Sequence, residues 1–99
     1  MKLTDLKPGM SGLDIVAEVV EKSEPIMKGG KRYAVATLED DTGRIALNLW
    51  RQQVEQLCVG DLVMVPKSFV QEWRGILELS TWADIVVLNK RKGQPEKMP

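Results

Sequence analysis

The stretch Arg44–Trp50, which reads RIALNLW, decides the fold because its large aliphatic residues fall at every second position. Successive side chains of a β-strand point to opposite faces, so Ile45, Leu47 and Leu49 share one face. We assign that face to the hydrophobic core. Trp50 then stands on the opposite, more polar face, where an exposed ring favours a binding role.

The neighbouring stretches also alternate in short runs rich in β-branched residues, and turn residues separate them. Strands are predicted, in chain order, over Leu13–Glu21, Arg32–Glu39, Arg44–Trp50, Asp61–Phe69 and Gly75–Ser80. Residues 23–31 and 70–74 are predicted loops, and residues 40–43 form a predicted tight turn. Pro66 lacks a backbone N–H, so it predicts a bend or an edge position in the fourth strand.

Between the third and fourth strands the hydrophobic period changes to that of a helix. Within Arg51–Cys58, Val54, Leu57 and Cys58 fall at i, i+3 and i+4, which predicts about two helical turns with Cys58 buried. Three strands, a short helix and two strands are the order of an OB-fold. The predicted fold class is therefore all-β, a five-stranded OB-fold barrel with a short helix between strands 3 and 4. A small SH3-like barrel and an open α+β sheet are the alternatives.

The length of the chain bounds its domain organisation. Ninety-nine residues allow one domain, which we place at residues 1–88, with Ala83–Leu88 as a last apolar stretch over the barrel. Residues 89–99 are polar and charged and are predicted to form a short, flexible tail. Within that tail, Lys90–Lys92 either extends the attraction for an anionic ligand or keeps the chain soluble.

The composition excludes several classes of function. Fourteen Lys and Arg balance fourteen Asp and Glu, which argues against binding nucleic acid by bulk charge. With one cysteine and no histidine, an internal disulfide, a zinc site and Ser-His or Cys-His catalysis are excluded. We therefore predict a protein that is not an enzyme and that needs no cofactor or metal. Without a signal peptide or a membrane-length apolar run, the sequence predicts an intracellular protein, cytoplasmic or nucleoid-associated.

All five aromatic residues lie outside the predicted core stripes. Trp50 faces outward on the third strand, and Trp73 lies among polar residues in the loop before the fifth strand. Both are predicted to stack nucleobases, as aromatic rings on OB-folds do. Phe69 and Trp82 are further candidates, although the proline leaves the facing of Phe69 open and Trp82 equally fits a ring packed under the C-terminal segment. Tyr33 is the fifth candidate, but a place in the core is the favoured interpretation, because the second strand has apolar residues on both faces.

Basic residues cluster around the same predicted face. Those predicted to contact phosphates are Lys28, Lys31 and Arg32 in the first loop, Arg44 and Arg51 flanking the third strand, and Lys67 and Arg74 flanking the last loop. Asn48, which faces outward on the third strand, is predicted to hydrogen-bond a base edge. Acidic residues gather elsewhere, on the first strand and at Asp40–Asp41. A net charge of zero therefore still allows a positive groove.

Four stretches between residues 6 and 82 stand in an order and spacing found together in a known family: Leu6–Met10, Asp41–Trp50, Val59–Asp61 and Trp73–Leu79. They resemble the simple, single-OB-domain single-stranded DNA-binding proteins of archaea and their eukaryotic relatives in the SOSS complex. The resemblance implies that bases stack on Trp50 and, by spacing, on Phe69 and Trp73. Family members often carry a long Gly-rich, charged tail that recruits partners, whereas this sequence stops at Pro99.

The resulting hypothesis is a protein that binds single-stranded DNA largely without sequence specificity and protects it in replication, recombination or repair. Stacking tolerates any base, and duplex DNA hides its bases, so duplex binding is expected to be weak. RNA is a possible second ligand, proteins of DNA repair or replication are candidate partners, and no membrane is involved. The alternatives are an OB-fold protein-interaction module and a domain that binds single-stranded RNA or tRNA.

Overall fold

The computed structural model describes residues 1–89 of the chain, in which seven strands and two short 3-10 helices alternate with turns. The strands are β1 (Leu13–Lys22), β2 (Ile26–Lys28), β3 (Lys31–Glu39), β4 (Arg44–Trp50), β5 (Leu62–Trp73), β6 (Ile76–Ser80) and β7 (Val86–Asn89). The 3-10 helices are Leu3–Asp5 and Arg51–Glu55. Within residues 1–89, neither is long or apolar enough to cross a bilayer. The predicted tail, including Lys90–Lys92, lies outside the described residues apart from Asn89, which ends β7.

Five of the strands close into a barrel in the order β1-β3-β4-β6-β5, because β1 pairs with both β3 and β5. The pairings are antiparallel except that of β4 with β6, which is parallel and places Ala46 opposite Glu78. The all-β, five-stranded OB-fold predicted from the sequence is confirmed. The alternation in Arg44–Trp50 fixes the face toward the core as predicted, since Leu47 and Leu49 are fully buried.

The facing of β5 changes at a β-bulge. Leu13 of β1 pairs with Ser68, but Ile15, two residues on, pairs with Val65, so β5 carries one extra residue between them. Lys67 lies in the bulge and has a φ of 52°, a left-handed backbone conformation that is uncommon outside glycine. Odd-numbered residues of β5 face the core before the bulge and solvent after it. Phe69 therefore faces outward.

Two segments that were predicted to be loops contain β-strand residues in the structure. The prediction for residues 70–74 is wrong, because β5 continues through Trp73 and turns into β6 over Arg74 and Gly75 alone. Both turn residues have positive φ, 52° and 81°, which matches the twist of a two-residue hairpin. The prediction for residues 23–31 missed β2, which pairs with β3 across a turn of two glycines. Short strands of three residues are difficult to recognise by period alone.

The segment after β4 is a shorter helix than predicted. A 3-10 helix over Arg51–Glu55 replaces the two α-helical turns, and Val54 and Leu57 are buried as the spacing predicts. Cys58 lies beyond the helix end and is exposed, so its predicted burial is wrong. It precedes the turn at Gly60, and its backbone N–H donates to the Asp61 carboxylate at 2.8 Å.

The last apolar stretch covers the barrel in part. Ile85 is buried in the core, whereas the following β7 lies beside the first half of β5 with its side chains exposed. Of the predicted apolar cover, mainly Ile85 packs onto the barrel, whereas β7 adds an outer strand beside β5.

Candidate nucleic-acid interface

The outer face of β3, β4, β6 and β5 carries several of the predicted site residues in register. Tyr33 on β3 lies directly opposite Trp50 on β4, and on the last hairpin Phe69 lies opposite Ser80. Gln71 and Glu78 form the next pair on the same face of that hairpin. The fold therefore brings together on this face residues from positions as far apart as 28 and 82 in the sequence.

Four aromatic rings border an open cavity on this face, which we call the aromatic groove. The rings of Tyr33 and Trp50 lie 4.5 Å apart between centroids and tilt by 47°. Across the groove, Phe69 and Trp82 lie 5.8 Å apart with a tilt of 34°. The groove has a volume of about 310 Å³. Trp82 is 88% exposed, so residues 83–89 do not cover it, and Tyr33 is half-buried outside the core.

A second cavity of about 290 Å³ continues from the aromatic groove and shares Trp50 and Trp82 with it. Lys31 and Arg51 line this second cavity. The shared tryptophans therefore stand between an aromatic compartment and a cationic one. Proteins that bind single-stranded nucleic acid combine aromatic rings with a positively charged groove in general.

Gln53 holds the two tryptophans in place from beneath. Its side-chain oxygen accepts the backbone N–H of Trp50 at 3.1 Å, and its Nε2 donates to the carbonyls of Thr81 and Ala83 at 2.9 and 2.7 Å. Those carbonyls flank Trp82. Gln53 is buried, and sequence reasoning missed it because a glutamine in a helical stretch is normally solvated.

The floor of the aromatic groove is a hydrogen-bonded chain centred on Asn48. Its Nδ2 donates to Glu78 at 3.1 Å and to Ser80 at 3.2 Å, and its Oδ1 accepts from the Tyr33 hydroxyl at 2.6 Å. The Ser80 hydroxyl in turn donates to Gln71 at 3.3 Å. Asn48 is 8% exposed and both of its amide hydrogens are engaged in this floor, and its predicted hydrogen bond to a base edge stays a prediction.

The three predicted cations of the first loop have different neighbours in the structure. Lys28 lies with its Nζ 4.8 Å from the centre of the Tyr33 ring, a cation–π contact at the groove edge. Arg32 forms an ion pair with Glu55 at 2.8 Å, and this carboxylate raises the pKa of the guanidinium. Lys31 and Arg51 line the second cavity described above, which we call the cationic cavity. Lys28, Lys31 and Arg51 are therefore the cations that the structure brings to the groove.

Other predicted residues lie away from the aromatic groove. At the tip of the β5–β6 hairpin Trp73 is 60% exposed, and the guanidinium of Arg74 lies 4.4 Å from its ring centre. Arg44 is at the far end of β4 and pairs with Glu39 at 2.7 Å. Lys67 lies on the bulge, where its backbone N–H donates to Asp14. Their predicted contacts with phosphate stay predictions.

The chain is similar to several known proteins. No protein-family model matches the chain. A crystal structure of a domain of replication protein A from Methanococcus maripaludis has a TM-score of 0.78 and 30% identity, covering 91% of this chain and 96% of that one. The chain belongs to the archaeal-type single-stranded DNA-binding OB-domain family.

Two further relatives agree with the membership of this OB-domain family. The second OB-fold domain of replication protein A from M. maripaludis has a TM-score of 0.71 and 26% identity, covering 97% of this chain and 98% of that one. The single-stranded DNA binding protein Ssb of Saccharolobus solfataricus is 26% identical over 83 residues, which cover 80% of this chain. The chain spans about half the length, 56%, of that curated relative. The resemblance noted in the sequence is confirmed.

Proposed function

We propose that this protein binds single-stranded DNA by stacking bases in the aromatic groove, largely without sequence specificity, and so protects single strands in replication, recombination or repair. The observation that carries the proposal is the pair of aromatic contacts, Tyr33–Trp50 and Phe69–Trp82, on either side of an open groove. Stacking on an exposed ring contributes about 1–3 kcal/mol per base and accepts every base.

Phosphates lie along the cationic edge of the groove in this proposal. Lys28, Lys31 and Arg51 supply three positive charges there, so we expect a log–log salt slope of about −2 at about −0.7 per phosphate contact. With no net charge on the whole chain, long-range attraction is small and stacking carries a large share of the affinity. Duplex DNA, which keeps its bases inside, is therefore expected to bind poorly.

We infer that the protein acts by binding single strands, and we propose no catalysed reaction for it. Of the titratable groups that border the aromatic groove, Tyr33 and Glu78 are tied into the hydrogen-bonded floor and Lys28 lies against the Tyr33 ring. In addition, residues 1–89 bring no three Cys, His, Asp or Glu side chains together where they would hold a metal ion.

Competition binding tests the proposal directly. A fluorescently labelled dT12 is bound at low salt and displaced by unlabelled single-stranded DNA, by RNA of the same length and by the corresponding duplex. We expect single-stranded DNA to compete at least tenfold better than duplex. Equal competition by duplex contradicts stacking, and better competition by RNA assigns the groove to RNA instead.

A further inference from the structure

We propose that Glu78 gives the aromatic groove a preference for guanine over the other bases, with thymine disfavoured most. The inference rests on the proposed function, since it concerns how a single strand is read once its bases enter the groove. Glu78 is half-buried on β6 and lines the aromatic groove. It is the acidic side chain among the residues that border this cavity.

The carboxylate of Glu78 fixes the direction of every hydrogen bond in the groove floor. A carboxylate only accepts, so the Asn48 amide must present its Nδ2 to Glu78 and its Oδ1 to Tyr33. The Tyr33 hydroxyl must then donate. Burial, followed by the negative charge of Glu78, raises the pKa of Tyr33, so the phenol keeps the proton that this bond needs.

The same reasoning orients Gln71, which lies directly across the hairpin from Glu78. The second Nδ2 hydrogen of Asn48 goes to Ser80, so the Ser80 hydroxyl donates onward to the Gln71 carbonyl oxygen. Gln71 therefore keeps its Nε2 hydrogens for another acceptor. Within residues 1–89, neither that Nε2 nor the Oε2 atom of Glu78 has a hydrogen-bond partner, and neither atom is an unsatisfied group buried from solvent.

An entering base thus meets a carboxylate acceptor beside an amide donor. Guanine matches both groups: its N1–H and N2 amino group are adjacent donors for Glu78, and its O6 accepts from Gln71. Cytosine and adenine each offer one amino group beside a ring-nitrogen acceptor. Thymine offers a single N3–H between two carbonyl oxygens, which a carboxylate repels. The carboxylate also repels phosphates, so the backbone stays at the cationic edge and the base edges face inward.

The test compares two alternating oligonucleotides, d(TG)6 and d(TI)6, in which inosine lacks only the N2 amino group of guanine. Their ring systems stack alike, so the affinity ratio isolates the hydrogen bond from stacking. Measurements in lithium buffer avoid guanine quadruplexes, and dT12 serves as the reference. For the wild-type protein we expect d(TG)6 to bind about fivefold more tightly than d(TI)6 and about tenfold more tightly than dT12.

Glu78→Gln is the diagnostic variant because it keeps an oxygen for Asn48 and removes the charge. We expect its d(TG)6 to d(TI)6 ratio to fall to nearly one, while dT12 binds at least as tightly as before. Glu72→Gln, an exposed carboxylate on the same hairpin, removes an equal charge and leaves the wild-type ratio. Circular dichroism verifies that each variant is folded.

The outcomes separate the two proposals. A wild-type ratio near one, with all oligonucleotides bound, overturns the role of Glu78 and leaves single-strand binding intact. A fivefold ratio that persists in Glu78→Gln also overturns it. If the folded wild-type protein binds none of the oligonucleotides, the proposed function itself is wrong, and the base preference with it.

Discussion

The aromatic groove and the tip of the β5–β6 hairpin both present tryptophan to solvent, but they hold it differently. In the groove each ring has an aromatic neighbour, and Gln53 hydrogen-bonds the backbone N–H of Trp50 and the carbonyls on both sides of Trp82. At the tip, Trp73 is the last residue of β5 and has the cation of Arg74 beside it. A ring that is already ordered loses little conformational entropy when a base stacks on it. The groove is therefore expected to dominate affinity, and the tip to extend the site.

The largest expected effect is that of Trp50→Ala. The substitution removes a stacking surface and the neighbour of Tyr33, so single-stranded DNA affinity should fall by about 1–3 kcal/mol, roughly five- to 150-fold. Fluorescence anisotropy with labelled dT12 measures the loss. Trp82→Ala serves as the comparison and should cost less, because Trp82 is 88% exposed and lies outside the strands, so its ring has more conformational entropy to lose on stacking than that of Trp50 in β4. A greater loss from Trp82→Ala would reverse the assignment of the principal stacking ring.

A smaller loss is expected from Trp73→Ala at the tip. We expect the binding free energy to weaken by about 1 kcal/mol for a long oligonucleotide. For an oligonucleotide too short to reach from the groove to the tip, we expect no loss. Since Trp73 is 60% exposed, the thermal unfolding midpoint should change little. An equal loss for short and long strands would place Trp73 in the primary site.

Arg51 offers a test in which stability and binding change in opposite directions. Its φ of 57° is strained for an arginine and natural for glycine, and its side chain lines the cationic cavity. Arg51→Gly should therefore keep or raise stability, by up to about 1 kcal/mol, while the salt slope shrinks by about 0.7. Lys2→Gln, which removes one exposed charge at the N-terminus, should leave the slope unchanged. Lost stability in Arg51→Gly would show that the backbone is not strained there.

The smallest expected effect on binding comes from the opposite end of the barrel. Hydrogen bonds from Thr42, together with backbone N–H groups of Leu3 and Gly43, lower the pKa of Asp40 to about 2. A carboxylate with a depressed pKa stabilises the fold above its unfolded pKa of about 3.9, and this is lost as the pH falls toward 2. Wild-type stability should thus decline between pH 4 and 2 more steeply than that of Asp40→Asn. Binding of dT12 at pH 7 should be the same for both proteins, and a reduced affinity in the variant would connect this turn with the groove.

Part of this arrangement could be predicted from sequence because it depends on local alternation. The outward facing of Trp50 follows from an unbroken pattern in Arg44–Trp50. The facing of Phe69 does not, because the bulge at Lys67 shifts the period by one residue and only the pairing with β1 reveals it. Strand β5 was also predicted to stop at Phe69, since the polar residues after it are typical of loops.

The polar parts of the site could not be predicted from local pattern. Gln53 and Glu78 look like solvated surface residues in the sequence, and their roles arise from partners 28 to 30 positions away. Arg32 and Arg44 were grouped with the other cations, whereas the fold gives each a carboxylate at 2.7–2.8 Å. Charge placed by tertiary contacts is invisible to a count of charges along the chain.

The most direct test of the central claim uses Trp50 as the only tryptophan. In a Trp73→Phe, Trp82→Phe double variant, circular dichroism first verifies the fold, and tryptophan emission is then followed at low salt during titration with dT12. Stacking in the aromatic groove predicts saturable quenching by the single strand and little by duplex of equal length. Unchanged emission from the folded variant at single-strand concentrations that saturate binding would contradict the account.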